Sequence, residues 1–197
     1  MKAQAWTLVT PQAQEPVTLE EMKEHLRVGG DAEDALISGY LAAARAWAEL
    51  YTGRAFVTQS WQAHFAGWPA DGCFELPMPP LQSVTWVSYT TEAAVLETLD
   101  ASVYRVIASR EPGVVLLAPG RNWPAEAPDA GLPVALQFVC GYGEPQAVPE
   151  GVKQAVRWLT GHMHENREAV IMGTAMPQKV PFSAHWVLDP HRFRYIW

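Results

Sequence analysis

The hydrophobic period of this chain changes twice, and those changes restrict its architecture more than any other feature. Up to Gly53 apolar residues recur at spacings of three and four. From Val57 they alternate with polar residues, and after Gly141-Tyr142-Gly143 the helical spacing returns. Helical and pleated periods bury different faces, so each stretch needs its own kind of packing partner. The order is helices, strands, helix, then a proline-broken terminus. It predicts an α+β chain: a helical domain whose two parts meet in space, an antiparallel β domain inserted between them, and an extended C-terminal arm.

The helical stretches carry their own start and stop signals. Thr18 with Glu21 is a capping box, with Val17 and Met22 at the staple positions, and Leu19, Met22 and Leu26 run on until Gly29-Gly30. Asp31 is placed to cap a second helix, with Glu33 and Asp34 in its first turn. Ile37, Tyr40, Leu41, Ala44, Trp47, Ala48 and Tyr51 then form one wide apolar face, and alanines at 42, 43, 44, 46 and 48 favour helix and close packing. Pro149 fits a first helical position, before an apolar stripe of Val152, Ala155, Val156, Leu159 and Met163. That stripe is the partner the face of Ile37, Leu41, Ala44 and Trp47 requires.

Between them, Val57, Trp61, Ala63 and Phe65 alternate with Thr58, Ser60, Gln62 and His64, a half-buried strand. Further strands are expected at 74–76, 84–89, 95–99, 104–107, 114–117 and 134–140, punctuated by proline and glycine. Their spacing predicts a compact antiparallel sheet or sandwich.

Composition excludes several functions. The chain is 49% apolar, enough for a core, and has no run of the ~20 apolar residues a membrane helix needs. Its start, Met1-Lys2-Ala3-Gln4-Ala5-Trp6, lacks the apolar centre of a signal peptide, so the protein is expected to stay where it is made unless packaged into something larger. Cys73 and Cys140 lie in strand-like stretches without CxxC spacing, and read as small buried hydrophobes in a reducing compartment. Residues 171–197 carry Lys179, Arg192 and Arg194 against Asp189, so the tail is +2 and the rest of this −7 chain is −9. An acidic body is badly suited to gripping phosphates.

No catalytic, metal or cofactor site is expected. His162 and His164, two apart on a helix, point to different sides; with Glu165 they lack HExxH spacing. Serines, histidines and carboxylates occur without a nucleophile elbow, and Glu144-Pro145 follows Gly141-Tyr142-Gly143 where a phosphate loop would need lysine. Nine tryptophans keep a carbohydrate- or protein-binding β module with a helical frame as the alternative. Trp47, Trp61 and Trp158 are expected in the core, and Trp68, Trp86 and Trp123 at the surface. The terminus is different: Phe182, Trp186, Val187, Leu188, Phe193, Tyr195, Ile196 and Trp197 are too apolar for a free tail.

Several motifs, in order, resemble the phage head–tail connector (adaptor, or head-completion) proteins of tailed phages and gene transfer agents. They are Pro16-Val17-Thr18-Leu19-Glu20-Glu21, His25-Leu26-Arg27-Val28, Asp31 through Ile37, Ala42 through Trp47, and Tyr51-Thr52-Gly53-Arg54. Leu76 through Val84, Tyr104-Arg105-Val106, Asn122-Trp123-Pro124, Phe138 through Gly143 and Val148-Pro149 continue the series. Glu165 through Val170 and Leu188 through Arg192 complete it. Thr90-Thr91-Glu92-Ala93-Ala94 departs from it, lacking an Asp-Gly-type turn.

The resemblance implies a non-enzymatic structural subunit of a virion or phage-like particle, assembled in the bacterial cytoplasm. It implies a homo-oligomeric ring of about twelve copies below the portal protein, meeting a stopper or tail-terminator protein. DNA would pass through the lumen without specific binding. On this reading residues 1–15 are an N-terminal segment, 16–56 and 148–170 the helical domain, 57–147 the β insertion and 171–197 the arm. Phe182, Trp186, Leu188, Arg192, Phe193, Arg194, Tyr195, Ile196 and Trp197 would bind the portal, the arm being loose in an isolated subunit.

Overall fold

The computed structural model describes residues 1–124, 131–167 and 182–193. They form two compact units, each assembled from separate stretches of sequence. Residues 1–13 and 58–142 make a β unit. Residues 14–57 and the described residues from Gly143 onward make a helical unit.

The helical unit contains α1 (Leu19–Leu26), α2 (Asp34–Thr52), α3 (Glu150–Glu165) and α4 (Phe182–Leu188). Both bonds of the capping box form at α1: the Thr18 hydroxyl accepts from the Glu21 N–H at 3.2 Å, and the Glu21 carboxylate accepts from the Thr18 N–H at 2.9 Å. Val17 and Met22 are fully buried beside it. The helix ends before the expected glycines, on Arg27 in the left-handed region (φ 58°), whose N–H returns to the Glu24 carbonyl. Asp31 does not cap α2. Its backbone carbonyl accepts from Asp34 N–H, and the N-cap position falls on Glu33, whose carboxylate is occupied by His164 and Arg167 instead. Pro149 sits one place outside α3 as its N-cap rather than within its first turn.

Ile37, Leu41, Ala44 and Ala48 of α2 are buried, as are Val152, Ala155, Val156 and Leu159 of α3, and the two helices pack together. A few charges are folded in with this core. Arg45 donates to Glu15 at 2.8 Å and to Glu49 at 2.6 Å, while Glu49, only 6% exposed, also accepts from the Phe56 N–H at 2.8 Å. Glu49 thereby fixes the turn that leaves α2.

The β unit contains β1 (Ala5–Thr10), β2 (Gln59–Phe65), β3 (Cys73–Glu75), β4 (Leu81–Thr90), β5 (Leu96–Thr98), β6 (Tyr104–Ile107), β7 (Val114–Leu117) and β8 (Val134–Cys140). One sheet has the order β1-β2-β8-β4-β5, the other β3-β7-β6, and every strand pair is antiparallel. The sheets meet through aromatic side chains: Phe65 and Phe74, both fully buried, contact edge to face at 4.7 Å. β1 was not among the expected strands. It adds to the open edge of β2, with Ala5 opposite His64 and Leu8 opposite Trp61. The β4–β5 hairpin turns without an Asp-Gly pair because Ala94 adopts φ 60° and its N–H bonds the Thr91 carbonyl. Cys140 is buried, but Cys73 is only half-buried, and desolvation pushes its thiol above the usual value.

Candidate functional site

The C-terminal segment and the end of α2 form the densest polar and aromatic cluster of the helical unit. Trp47 and Tyr51, one turn apart on α2, stack at 5.1 Å with ring planes 8° apart. The His185 ring of α4 meets both edge-on, at 5.2 Å and 4.8 Å. Beyond α4 the chain makes a 3₁₀ turn (Asp189–His191) and crosses the end of α2. There the Tyr51 hydroxyl donates to the Asp189 carboxylate at 2.6 Å, and the Arg192 guanidinium stands 4.9 Å over the Tyr51 ring. Arg54 donates to the His191 carbonyl at 2.6 Å, and the Phe193 N–H donates to the Thr52 carbonyl at 2.7 Å.

Gly53 makes this crossing possible for two reasons. It ends α2 at φ 66°, which L side chains rarely adopt, and a Cβ there would lie 3.0 Å from the Phe193 carbonyl oxygen. Burial, followed by the charge of Arg54, pushes the His191 imidazole below its ordinary value, favouring its neutral form.

The predicted portal-binding residues separate into distinct positions. Trp186 is 71% exposed on α4, whereas Leu188 is fully buried within the helical unit with Ala184, and so serves as a core residue of this subunit. Arg192 is exposed but committed to Tyr51, and Phe193 is half-buried. Phe182 begins α4; Arg194, Tyr195, Ile196 and Trp197 lie outside the described residues. The expectation of a wholly loose arm therefore fails for residues 182–193. Pro190 does not break an element, because it sits in the 3₁₀ turn where a missing N–H costs nothing. The residues the sequence reading missed here are Tyr51, Arg54 and His185. The signal was present in Tyr51-Thr52-Gly53-Arg54, where the sequence assigns Tyr51 to the apolar face of the second helix and Arg54 to the family motif alone.

The other candidates stay apart. His162 is bonded by the Asn166 amide, while His164 joins Glu33 at 2.8 Å, and no group of three metal-ligating side chains occurs among the described residues. Trp68 and Trp123, expected at the surface, stack on each other at 5.1 Å and reach the edge of Phe74. Each has thus given up a ring face that a sugar platform would need.

Residues 16–110 match the family model described as phage gp6-like head-tail connector protein. The whole fold also matches a chain in the neck of an empty gene transfer agent particle computed with C6 symmetry, at 25% identity, TM-score 0.79 and 98% coverage of both chains. Over residues 16–110 the chain is similar to the phage head–tail connector proteins. A second similar structure is the virion of a native gene transfer agent particle, at 26% identity and TM-score 0.77, again over 98% of each chain. A third, the neck of a native particle computed with C12 symmetry, shares the fold at 24% identity and TM-score 0.75 over the same 98%. No curated protein sequence matches this chain. The family motif covers both halves of the clamp's α2 side, Tyr51 and Arg54 included, together with the capping box of α1.

Proposed function

We propose that the connector is the adaptor subunit of a phage or gene transfer agent neck. Copies assemble, about twelve to a ring, beneath the portal and join the capsid to the tail-side stopper or terminator protein. The observation carrying this reading is the fold match to a neck chain over 98% of both lengths, which extends the likeness beyond residues 16–110 to both units. The charge distribution fits the role. A −9 body repeated around a ring lets DNA slide through, where a basic lumen would hold the phosphates and brake it. Subunits would be made in the bacterial cytoplasm and end in the particle.

The C-terminal segment is the portal-facing part of this proposal, in a narrower form than the sequence suggested. The clamp on α2 fixes where the chain leaves the subunit, and Leu188 anchors it from inside. Trp186, with Phe182, Arg192, Phe193 and the terminal Arg194, Tyr195, Ile196 and Trp197, supplies the contacts. An exposed tryptophan on an anchored helix makes a rigid hot spot at small entropic cost.

The test is attachment to purified portal rings. The full chain should bind, and Trp186→Ala should melt at the wild-type temperature yet bind roughly thirtyfold more weakly, the usual loss for an aromatic hot spot. Portal rings that ignore the full chain would sink the adaptor reading; a Trp186 variant that binds like wild type would move the grip elsewhere on the subunit.

A further inference from the structure

We propose that the outer face of α2 is the surface through which one copy of the connector holds the next. The proposal rests on the adaptor reading above and specifies a contact that reading leaves open. Leu36, Gly39, Ala43, Ala46 and Leu50 follow one another along α2 at spacings of three and four, so they form one line about 21 Å long. All five are exposed, Leu50 at 83% and Leu36 at 37%, and nothing approaches within 4 Å of where a Cβ on Gly39 would sit. None carries a charge or a hydrogen-bonding side chain. On the other side of the same helix Ile37, Leu41, Ala44 and Ala48 are buried. A helix apolar on two faces belongs in an interior, and among the described residues only one of these faces is covered.

The occupant we assign is a second copy of this chain. A closed ring is built from a heterologous contact, in which each subunit offers two different patches to its two neighbours. The neck chain solved with C6 symmetry matches the connector over 98% of both chains, so a ring of such chains has to find its contacts on this shared fold. Charge narrows the choice. Each copy carries −7, and a contact that set carboxylates against carboxylates would be repelled. The outer face of α2 is a length of surface where that cannot happen. Its small residues between two leucines also let a neighbouring backbone come to the 8–10 Å of close helix packing, the leucines closing either end. Trp186, on a different element, remains available to the portal.

Replacing Ala46 with the photo-crosslinker p-benzoylphenylalanine in the full chain tests this inside assembled particles. Ala46 is exposed, so the bulky ring is tolerated by the fold. Irradiation should give an adduct of two connector chains, identified by mass spectrometry. An adduct with a different protein, or none while the chain is present in the neck, overturns the proposal. A parallel variant, Ala43→Glu with Ala46→Glu, should melt like wild type and lower the yield of tailed particles by roughly tenfold or more, as charge placed in an interface core does. Wild-type yield from that variant overturns it equally. A wild-type chain absent from purified necks is a separate result: it removes the adaptor reading itself, and this proposal with it.

Discussion

The helical and β units are held together by different means. In the β unit the backbone does most of the work: β8 is bonded on both sides, to β2 and β4, and the interior is apolar and aromatic, with Phe65, Phe74, Leu136 and Phe138 fully buried. Its charged groups lie mostly at the margins, as where the Tyr89 hydroxyl donates to the exposed Glu97. The helical unit has no ladder between its elements. Its helices satisfy their own backbones, so their mutual placement depends on particular side chains. Arg45 and Glu49, Glu33 with His164 and Arg167, and Tyr51 with Asp189 each join residues from different stretches of chain or fix a turn. The unit that carries the clamp between α2 and residues 189–193 is the one specified by side chains.

The largest effect should come from the α2–α3 contact. Leu159 is 2% exposed, and Leu159→Asp would bury an unpaired charge in a contact with no backbone ladder to hold it. We expect a loss of about 4 kcal/mol or more, with the helical unit unfolding first in denaturant. A variant with the wild-type midpoint would mean that α2 and α3 do not depend on this seam.

A smaller and more discriminating pair is Glu49→Ala against Glu97→Ala. The first removes the partner of the Phe56 N–H and half the pairing of Arg45, all in a buried position, and should cost about 3 kcal/mol. The second removes an exposed acceptor in the β unit and should cost less than about 1 kcal/mol. Equal losses in chemical melts would erase the distinction between the units. Below these lies Gly53→Ala, at about 1–2 kcal/mol. It combines backbone strain at φ 66° with a Cβ placed 3.0 Å from the Phe193 carbonyl. The change should also loosen residues 189–193, visible as faster amide exchange at Phe193.

The two units were not equally legible in the sequence. The strands at 114–117 and 134–140 coincide with the observed ones because proline and glycine bound them on both sides, and the one at 104–107 coincides where a 3₁₀ turn capped by Asp100 precedes it. β1 was missed because it is an edge strand: Leu8 and Val9 are both 45% exposed, so burial never imposed an alternation on it. The capping box at Thr18 could be read outright, since its two bonds are local. The cap of α2 could not, because Glu33 answers to His164 and Arg167, far along the chain. The clamp was hidden for the same reason. Tyr51 and Trp47 looked like residues of one buried face, and only the return of the chain at Asp189 and Arg192 gives them their use. What sequence reading cannot supply is a contact whose two halves carry no pattern until they meet.

The smallest effect expected is a pH dependence confined to the helical unit. Hydrogen bonds from His164 and then Arg167 hold the Glu33 carboxyl below its ordinary value of 4.5, while Arg167 is raised by the same carboxylate. A carboxyl depressed in the folded state stabilises the fold above its unfolded value, and that contribution is lost as pH falls through the folded value. The pin between the start of α2 and the end of α3 should therefore weaken on acidification below about pH 4.5, with no matching change toward neutral pH from Glu33 itself. Asp71, Asp100 and Glu150 are depressed too and give the whole protein a slope of the same sign, so the informative quantity is a difference. Melting temperatures of wild type and Glu33→Gln, followed from about pH 7 to about pH 3, should converge as the acid limit is approached and separate above it. Because Glu33 is only partly covered and the pair is open to salt, the separation should be small at low ionic strength and shrink further as salt is added. Parallel curves across the whole range would show that the Glu33 contacts add no pH-dependent stability, leaving the α2–α3 seam to apolar packing.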